Sequence, residues 1–280
     1  MCGIIGIWHH SAPAQDDLLA ALRRMEYRGY DSAGICTLTA QRELACVRAV
    51  GKLDRLEAAL AARPCPGRIG IGHTRWATHG APSVENAHPH RAGRVALVHN
   101  GIIENHARIR EALAQKGAEF RSETDTEAVA HLFDQRLHEA RSLSEAWEAA
   151  LYELRGAYAL CALVEGEEVL LFARRGSPLL LGRSGRGWYV ASDALALAGL
   201  ADEVCYLEDG DWGWIDAEGV HLRTAEGANK SPQWRVIPEI TEAGGKGGYA
   251  YYMEKEIDEQ PEVLARILDR YLEGDRIVWP

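Results

Sequence analysis

The sequence predicts an α+β fold in which antiparallel sheets carry helices layered on their faces. Three observations predict it. Short strand-like runs recur along the whole chain. Several follow one another with only a tight turn between them, as at Glu165-Gly166-Glu167 and Glu208-Asp209-Gly210, which is how hairpins are written. Between other runs stand amphipathic segments that open with helix-start chemistry, and such segments must bury their apolar side on a sheet.

In chain order, Ile4–Trp8 reads as the opening strand. Asp16 and Asp17 then open a helix, with Leu18, Leu19, Leu22 and Met25 on one face and the acids near the positive end of the helix dipole. Strand-like runs follow at Ala33–Leu38, Ala45–Val50, Ile69–His73 and Val95–His99. Thr124-Asp125-Thr126-Glu127 has capping-box spacing ahead of Val129, Leu132 and Phe133. Ser142-Leu143-Ser144-Glu145 repeats the device ahead of Trp147, Leu151 and Leu154. The second half is mostly strands: Tyr158–Val164, Val169–Ala173, Trp188–Ala191 and Trp212–Ile215. One domain is expected over residues 2–242. Residues 243–280 read as a Gly-rich joint, Ala243–Gly248, and a helix-like tail, Tyr251–Leu272, that ends at Trp279-Pro280 and looks like a linker to something further.

Composition narrows the function. The chain has 280 residues, 47% apolar and 26% charged, which is ordinary for a globular protein able to bury a sizeable core. Lys plus Arg number 31 against 41 Asp plus Glu, a formal charge of −10 with no basic cluster, which argues against nucleic acid and against an anionic membrane surface. Apolar stretches such as Ala194–Ala201 are too short to span a bilayer, and no basic segment followed by an apolar one opens the chain. A cytoplasmic protein is the simplest expectation. The cysteines, Cys2, Cys36, Cys46, Cys65, Cys161 and Cys205, form no Cys-x-x-Cys pair and suggest no disulfide framework; apart from Cys2 they read as small buried apolar residues. His88, His90 and His99 raise a metal site, but no acid or cysteine stands at a telling spacing and Pro89 interrupts the strand, so no metal is expected. Gly70-Ile71-Gly72 lacks the remaining glycines of a nucleotide fingerprint, and no cofactor is expected.

Cys2 differs from the other cysteines by its address. Cysteine is small enough for the preceding Met1 to be removed, which would place a thiol of pKa about 8.5 and an amine of about 7.7–8.0 on one α-carbon. That near-match lets one residue serve as nucleophile and base. The other readings are a chance Cys at position 2 or a hydrophobic residue opening a strand.

The surrounding residues carry a resemblance. Cys2-Gly3-Ile4-Ile5-Gly6 is followed by Tyr27-Arg28-Gly29-Tyr30-Asp31-Ser32-Ala33-Gly34, His73-Thr74-Arg75-Trp76-Ala77-Thr78-His79-Gly80 and Asn86-Ala87-His88-Pro89-His90. Then come His99-Asn100-Gly101-Ile102-Ile103-Glu104-Asn105 and Ser122-Glu123-Thr124-Asp125-Thr126-Glu127. In this order they resemble the glutaminase domain of the glutamine–fructose-6-phosphate aminotransferase (glucosamine-6-phosphate synthase) family, from Cys2 to about Pro261. Amidophosphoribosyltransferases and asparagine synthetases share the Cys-Gly-Ile start, but the Tyr-Arg-Gly-Tyr-Asp and Thr-Arg-Trp-Ala-Thr-His-Gly blocks are nearer the sugar-phosphate branch.

The resemblance implies an N-terminal-nucleophile hydrolase fold, a four-layer αββα sandwich with two antiparallel sheets. It implies a class II glutamine amidotransferase that hydrolyses L-glutamine through a Cys2 thioester, with residues 2–242 as the glutaminase domain. It implies Asn100 and Gly101 as oxyanion donors, with Arg28 and Gly29 beside the nucleophile. Arg75 would grip the substrate α-carboxylate with its planar fork, and Asp125 the α-ammonium. Thr78 and His79 would fold over bound glutamine, His88 would lie beside it, and Trp76 would stand at the mouth of the ammonia route. The implied partner is a sugar-isomerase domain or subunit that binds fructose-6-phosphate, in an enzyme that is a homo-oligomer. Other readings stay open at single residues: a hairpin turn for Asn100-Gly101, a solvated surface charge for Arg75, helix-start duty for Asp125 and ordinary packing for Trp76. They also stay open for the whole chain, as a glutaminase serving another ammonia acceptor or as a non-catalytic glutamine-binding regulator. The departures from the pattern, such as Trp8-His9-His10, touch none of these residues.

Overall fold

In a computed structural model, the structure describes residues 2–28, 31–76, 80–237, 248–249, 252–273 and 276–278, with only the backbone described at Arg28, Tyr252 and Glu273. The chain divides into two compact units, Met1–Ile240 and Thr241–Pro280.

The first unit is built on two sheets. Its strands are β1 (Gly3–His9), β2 (Ser32–Leu38), β3 (Leu44–Val50), β4 (Ile69–Arg75), β5 (His90–Ala92), β6 (Val95–Ile103), β7 (Gly156–Val164) and β8 (Leu170–Arg175). They continue with β9 (Leu180–Ser184), β10 (Gly187–Ala191), β11 (Glu203–Tyr206), β12 (Trp212–Asp216), β13 (Gly219–Arg223), β14 (Asn229–Lys230) and β15 (Arg235–Val236). One sheet has the order β15-β11-β9-β10-β1-β4-β2-β3 and the other β14-β13-β12-β8-β7-β6-β5. The paired strands run antiparallel, as the hairpin turns of the sequence require. Every strand-like run is a strand. The strands not foreseen, β5, β9, β11 and β13–β15, are two to five residues long and mix polar with apolar positions, so they carry little periodic signal.

Strand alternation builds the layers. On β1, Ile4 and Trp8 enter the core between the sheets, with Val98, Cys161 and Phe172 of the opposite sheet. Ile5 and Ile7 point the other way, onto helices α1 (Gln15–Arg24) and α2 (Leu53–Ala62), where Leu18, Leu22, Leu53 and Leu56 are buried. The second sheet buries its outer face, Leu97, Leu160 and Leu171, under α3 (His106–Gln115), α4 (Asp125–Glu139) and α5 (Leu143–Glu153). The result is a helix–sheet–sheet–helix sandwich. Phe133 and Trp147 are fully buried and meet edge to face at 4.7 Å, which fixes α4 against α5.

The helix starts follow the sequence, with one rearrangement. Thr124 caps α4 by accepting from Glu127 N at 3.4 Å. Glu127 does not reach back to Thr124 N, because the Ser122 hydroxyl takes that donor; its carboxylate accepts instead from Arg121 N and Ser122 N at 2.8 and 2.7 Å. Ser142 caps α5 in the same way, from Glu145 N at 3.2 Å.

The cysteine expectation needs a correction. Cys36 and Cys46 face each other in the β2–β3 register, with Cα atoms 4.0 Å apart, and form a disulfide. The turn that sets this register places the pair opposite, which spacing alone did not reveal. Cys65, Cys161 and Cys205 are buried and free.

The second unit contains α6 (Tyr252–Tyr271) followed by a small hairpin, β16 (Leu272–Glu273) and β17 (Arg276–Ile277). Apart from Gly248, the Gly-rich joint and the terminal Trp279-Pro280 lie outside the described residues. Among the described residues, no helix is long and apolar enough to cross a membrane.

Candidate active site

Among the described candidate residues, Cys2, Arg75, Trp76, His88, Asn100, Gly101 and Asp125 converge where the two sheets face each other at one end of β1 and β4. Antiparallel register places Gly3 opposite Thr74, so Cys2 stands beside the end of β4. There the Trp76 backbone N–H donates to Cys2 Sγ at 3.2 Å, and the Trp76 carbonyl lies 3.7 Å from the same sulfur. Burial pushes the Cys2 thiol up, and the Trp76 N–H, which favours the thiolate, opposes that shift.

Asn100 and Gly101 come from the opposite sheet. They lie within β6, paired with Ala159 and Tyr158, which excludes the hairpin-turn reading. The Asn100 amide donates from Nδ2 to the Cys2 carbonyl at 3.0 Å, while its Oδ1 lies 3.0 Å from His73 Nε2. Gly101 has φ +130°, and a Cβ there would fall 2.0 Å from the Ala157 carbonyl oxygen of β7, so the strand pairing itself demands glycine.

Arg75 ends β4 and is only 4% exposed, which rules out a solvated surface charge; it donates to the Gly80 carbonyl at 3.2 Å. Asp125 sits in the first turn of α4, yet its carboxylate also accepts from Ile103 N at 2.8 Å and approaches His99 Nδ1 at 3.7 Å. Burial raises its pKa, but the His99 and Ile103 interactions outweigh burial and hold the carboxyl well below the usual range. Its place in the first helical turn thus does not keep the residue from lining the pocket shared with Cys2 and Arg75. Trp76 is 53% exposed, so its indole is not a core side chain.

His88 is buried, with Nε2 2.9 Å from Thr126 Oγ1, and its ring stacks on His73 at 4.1 Å. Burial drives its pKa well below the ordinary imidazole value, so it is neutral. His90 meets His88 edge to face at 4.7 Å but binds a different hydroxyl, Thr124 Oγ1, at 3.0 Å. Cys2, Arg75, Trp76, His88, Gly101 and Asp125 line one small pocket. A larger cavity of about 730 Å³ beside β3 and β5 contains none of the candidate residues.

Arg28 closes a 3₁₀ turn, Glu26–Arg28, with no side chain described. Gly29, Thr78 and His79 lie outside the described residues. Sequence reasoning gave no role to His73 or Thr126. Thr126 Oγ1 joins His88 to His99 Nδ1, which lies 3.1 Å away, and so links two candidate segments. The available signal was that His73 shares a β4 face with Arg75, two residues on.

A first strand that follows directly on Cys2 and faces an Asn-Gly strand across a four-layer sandwich defines a class, and residues 73–199 match the glutamine amidotransferase domain family. The chain carries a class II glutamine amidotransferase domain with the N-terminal-nucleophile hydrolase fold. Its sequence is similar to glutamine–fructose-6-phosphate aminotransferase (isomerizing) from Gluconobacter oxydans, 49% identical over 271 residues, 96% of this chain and 44% of that protein. The Caulobacter vibrioides protein of the same name is 47% identical over 98% of this chain and 45% of its own length. The chain thus spans about half the length of the curated relatives it matches. Among solved structures, glutamine phosphoribosylpyrophosphate amidotransferase from B. subtilis, complexed with ADP and GMP, superposes with a TM-score of 0.69. It is 29% identical, with 80% of this chain and 49% of that chain covered.

Proposed function

We propose that this chain hydrolyses L-glutamine to glutamate and ammonia through a thioester on Cys2, and that the ammonia serves glucosamine-6-phosphate synthesis from fructose-6-phosphate. The observation that carries the reading is the convergence of Cys2, Arg75, Asp125 and Gly101 on one pocket, with the Asn100 amide tied to the Cys2 backbone. Removal of Met1 frees the Cys2 α-amine, which takes the thiol proton as Sγ attacks the side-chain amide carbon. The oxyanion that forms accepts from the Gly101 N–H and from the Asn100 Nδ2 hydrogen not engaged by the Cys2 carbonyl. The amine then passes its proton to the leaving nitrogen, ammonia departs, and water cleaves the thioester to release glutamate and the thiol.

Arg75 holds the substrate α-carboxylate and Asp125 the α-ammonium, which together select a free amino acid over a peptide-bound glutamine. Held well below the usual carboxylate range, Asp125 is fully ionised at neutral pH, as this role needs. His88 borders the bound substrate, Thr78 and His79 cover it, Arg28 and Gly29 order the nucleophile's surroundings, and Trp76 guards the route by which ammonia leaves.

Residues 2–242 form the glutaminase domain, and residues 243–280 lead to a sugar-isomerase domain, in a cytoplasmic enzyme that assembles as a homo-oligomer. Two observations support that partner. The relatives are about twice as long, and α6 exposes Ile257, Leu264 and Leu268, one helix face with apolar side chains left uncovered.

The test is direct. The purified chain lacking Met1 is expected to release glutamate and ammonia in equal amounts from glutamine, and to form no glucosamine-6-phosphate when fructose-6-phosphate is added. A glutamine-analogue electrophile should add its mass to Cys2. Binding of glutamine without glutamate release would instead identify a regulator.

A further inference from the structure

His73 lies in β4, paired with Ile4 on one side and Gly34 on the other, and its side chain crosses from one sheet to β6 of the other. Its Nε2 has two neighbours there, the His99 carbonyl oxygen at 3.1 Å and Asn100 Oδ1 at 3.0 Å. A backbone carbonyl can only accept, so the His99 carbonyl requires Nε2 to carry the hydrogen. An amide side chain can in principle face either way round. Once Nε2 is a donor, only the oxygen end of Asn100 can face it, and the nitrogen end must face Cys2. The other end gives the same answer, since the Cys2 carbonyl, 3.0 Å from Nδ2, is also an acceptor. Two fixed acceptors therefore agree on one arrangement: the β6 carbonyl of His99 sets the His73 tautomer, and that tautomer together with the Cys2 carbonyl sets the Asn100 orientation, which decides whether the pocket receives a donor or an acceptor.

The surroundings hold this arrangement. His73 is fully buried, and its ring stacks on His88, which Thr126 anchors through Nε2 at 2.9 Å. Burial pulls its pKa down to about 3, so the ring is neutral at working pH and adds no cation to the site.

We propose that His73, in its Nε2–H tautomer, is the positioning residue that locks the Asn100 amide with its N–H groups toward Cys2, and so keeps the oxyanion donor aimed before substrate arrives. This rests on the reading of Asn100 as an oxyanion donor in glutamine hydrolysis. His73 does not touch the reacting atoms; it acts through Asn100. Its loss should therefore slow the chemical step and leave glutamine binding, which belongs to Arg75 and Asp125, in place.

The tautomer is read first, in the whole chain labelled with ¹⁵N-histidine, by comparison of wild type with a His73 variant. The resonance pattern of a neutral Nε2–H ring is expected between pH 6 and 8, and an Nδ1–H ring or a cation overturns the proposal whatever the chain catalyses. Kinetics follow. Loss of one oxyanion donor costs about 10²–10³ in kcat, so His73→Phe, which keeps a stacking ring without the donor, is expected to lower kcat by at least about tenfold. Its KM should stay within about twofold of wild type, and His73→Gln, which restores an N–H donor, should recover much of the rate. In an Asn100→Ala background, His73→Phe should have no further effect on kcat, whereas independent, multiplying losses would place His73 in another role. Wild-type kcat in a folded His73→Phe protein overturns the proposal. If that variant does not fold, His73→Gln and the tautomer decide. A wild-type chain that releases no glutamate counts against the glutaminase reading, while an active wild type with an unaffected His73→Phe counts against this one.

Discussion

Gly101→Ala gives the sharpest test of how the sheet builds the site. An added Cβ would stand 2.0 Å from the Ala157 oxygen, 2.8 Å from the Ala157 carbonyl carbon and 3.0 Å from Tyr158 Cα, where ordinary contact begins at 3.4 Å. All three atoms are backbone, so no rotamer change relieves the overlap, and β6 and β7 must part by more than 1 Å. The φ of +130° adds strain of its own. Strain of about 1–3 kcal/mol and overpacking of about 1–3 kcal/mol make a loss near 3 kcal/mol the central expectation. At about 2–4 °C per kcal/mol for a domain of this size, Tm should fall by roughly 6–12 °C. The same displacement carries the Gly101 N–H and the Asn100 amide away from Cys2, so kcat for glutamate release should fall by about 10²-fold or more. Gly117→Ala is the control, because Gly117 also has positive φ, +95°, but a Cβ there meets nothing within 4 Å. Thermal unfolding and a coupled glutamate assay read both effects. A Gly101→Ala protein with the Tm and kcat of the Gly117→Ala control would refute the claim that the β6–β7 pairing shapes the oxyanion site.

Other consequences are as open to measurement. Cys2→Ala should abolish glutamate release with Tm little changed, and a chain that retains Met1 or carries an acylated Cys2 amine should be nearly as inactive; intact mass with a glutamate assay checks both. Arg75→Lys keeps the charge but loses the fork, so KM for glutamine should rise by about tenfold or more with kcat less affected, as initial-rate kinetics will show. Stability should fall as pH drops from about 6.5, because His73 and His90, both pulled to about 3 by burial, stay neutral in the fold while the unfolded chain protonates them. Each contributes a slope of up to about 1.4 kcal/mol per pH unit, in the sense of greater stability at higher pH. Urea unfolding between pH 6.5 and 5 measures the slope, and His90→Asn should reduce it by about one proton.

The sequence determined the architecture because periodicity is local. Continuous apolar runs in Ile4–Trp8 and Tyr158–Val164 marked strands buried on both faces, and Thr124 and Ser142 marked helix starts whose hydroxyl caps form, though the glutamate half of each capping box goes elsewhere. The family motifs singled out Cys2, Arg75, Asn100, Gly101 and Asp125, residue types whose chemistry suits the roles proposed for them. What the sequence could not supply was register and layer. Cys36 meets Cys46, Gly101 meets the Ala157 carbonyl, and His73 reaches Asn100 from the facing sheet, because a register is set by a turn and by a partner strand far away in the chain. Spacing alone left Asn100-Gly101 readable as a turn and Arg75 as a surface charge; burial and pairing decided against both. The chemical types were legible one residue at a time. The direction in which each group points is a property of two sheets pressed together, and only the tertiary structure could fix it.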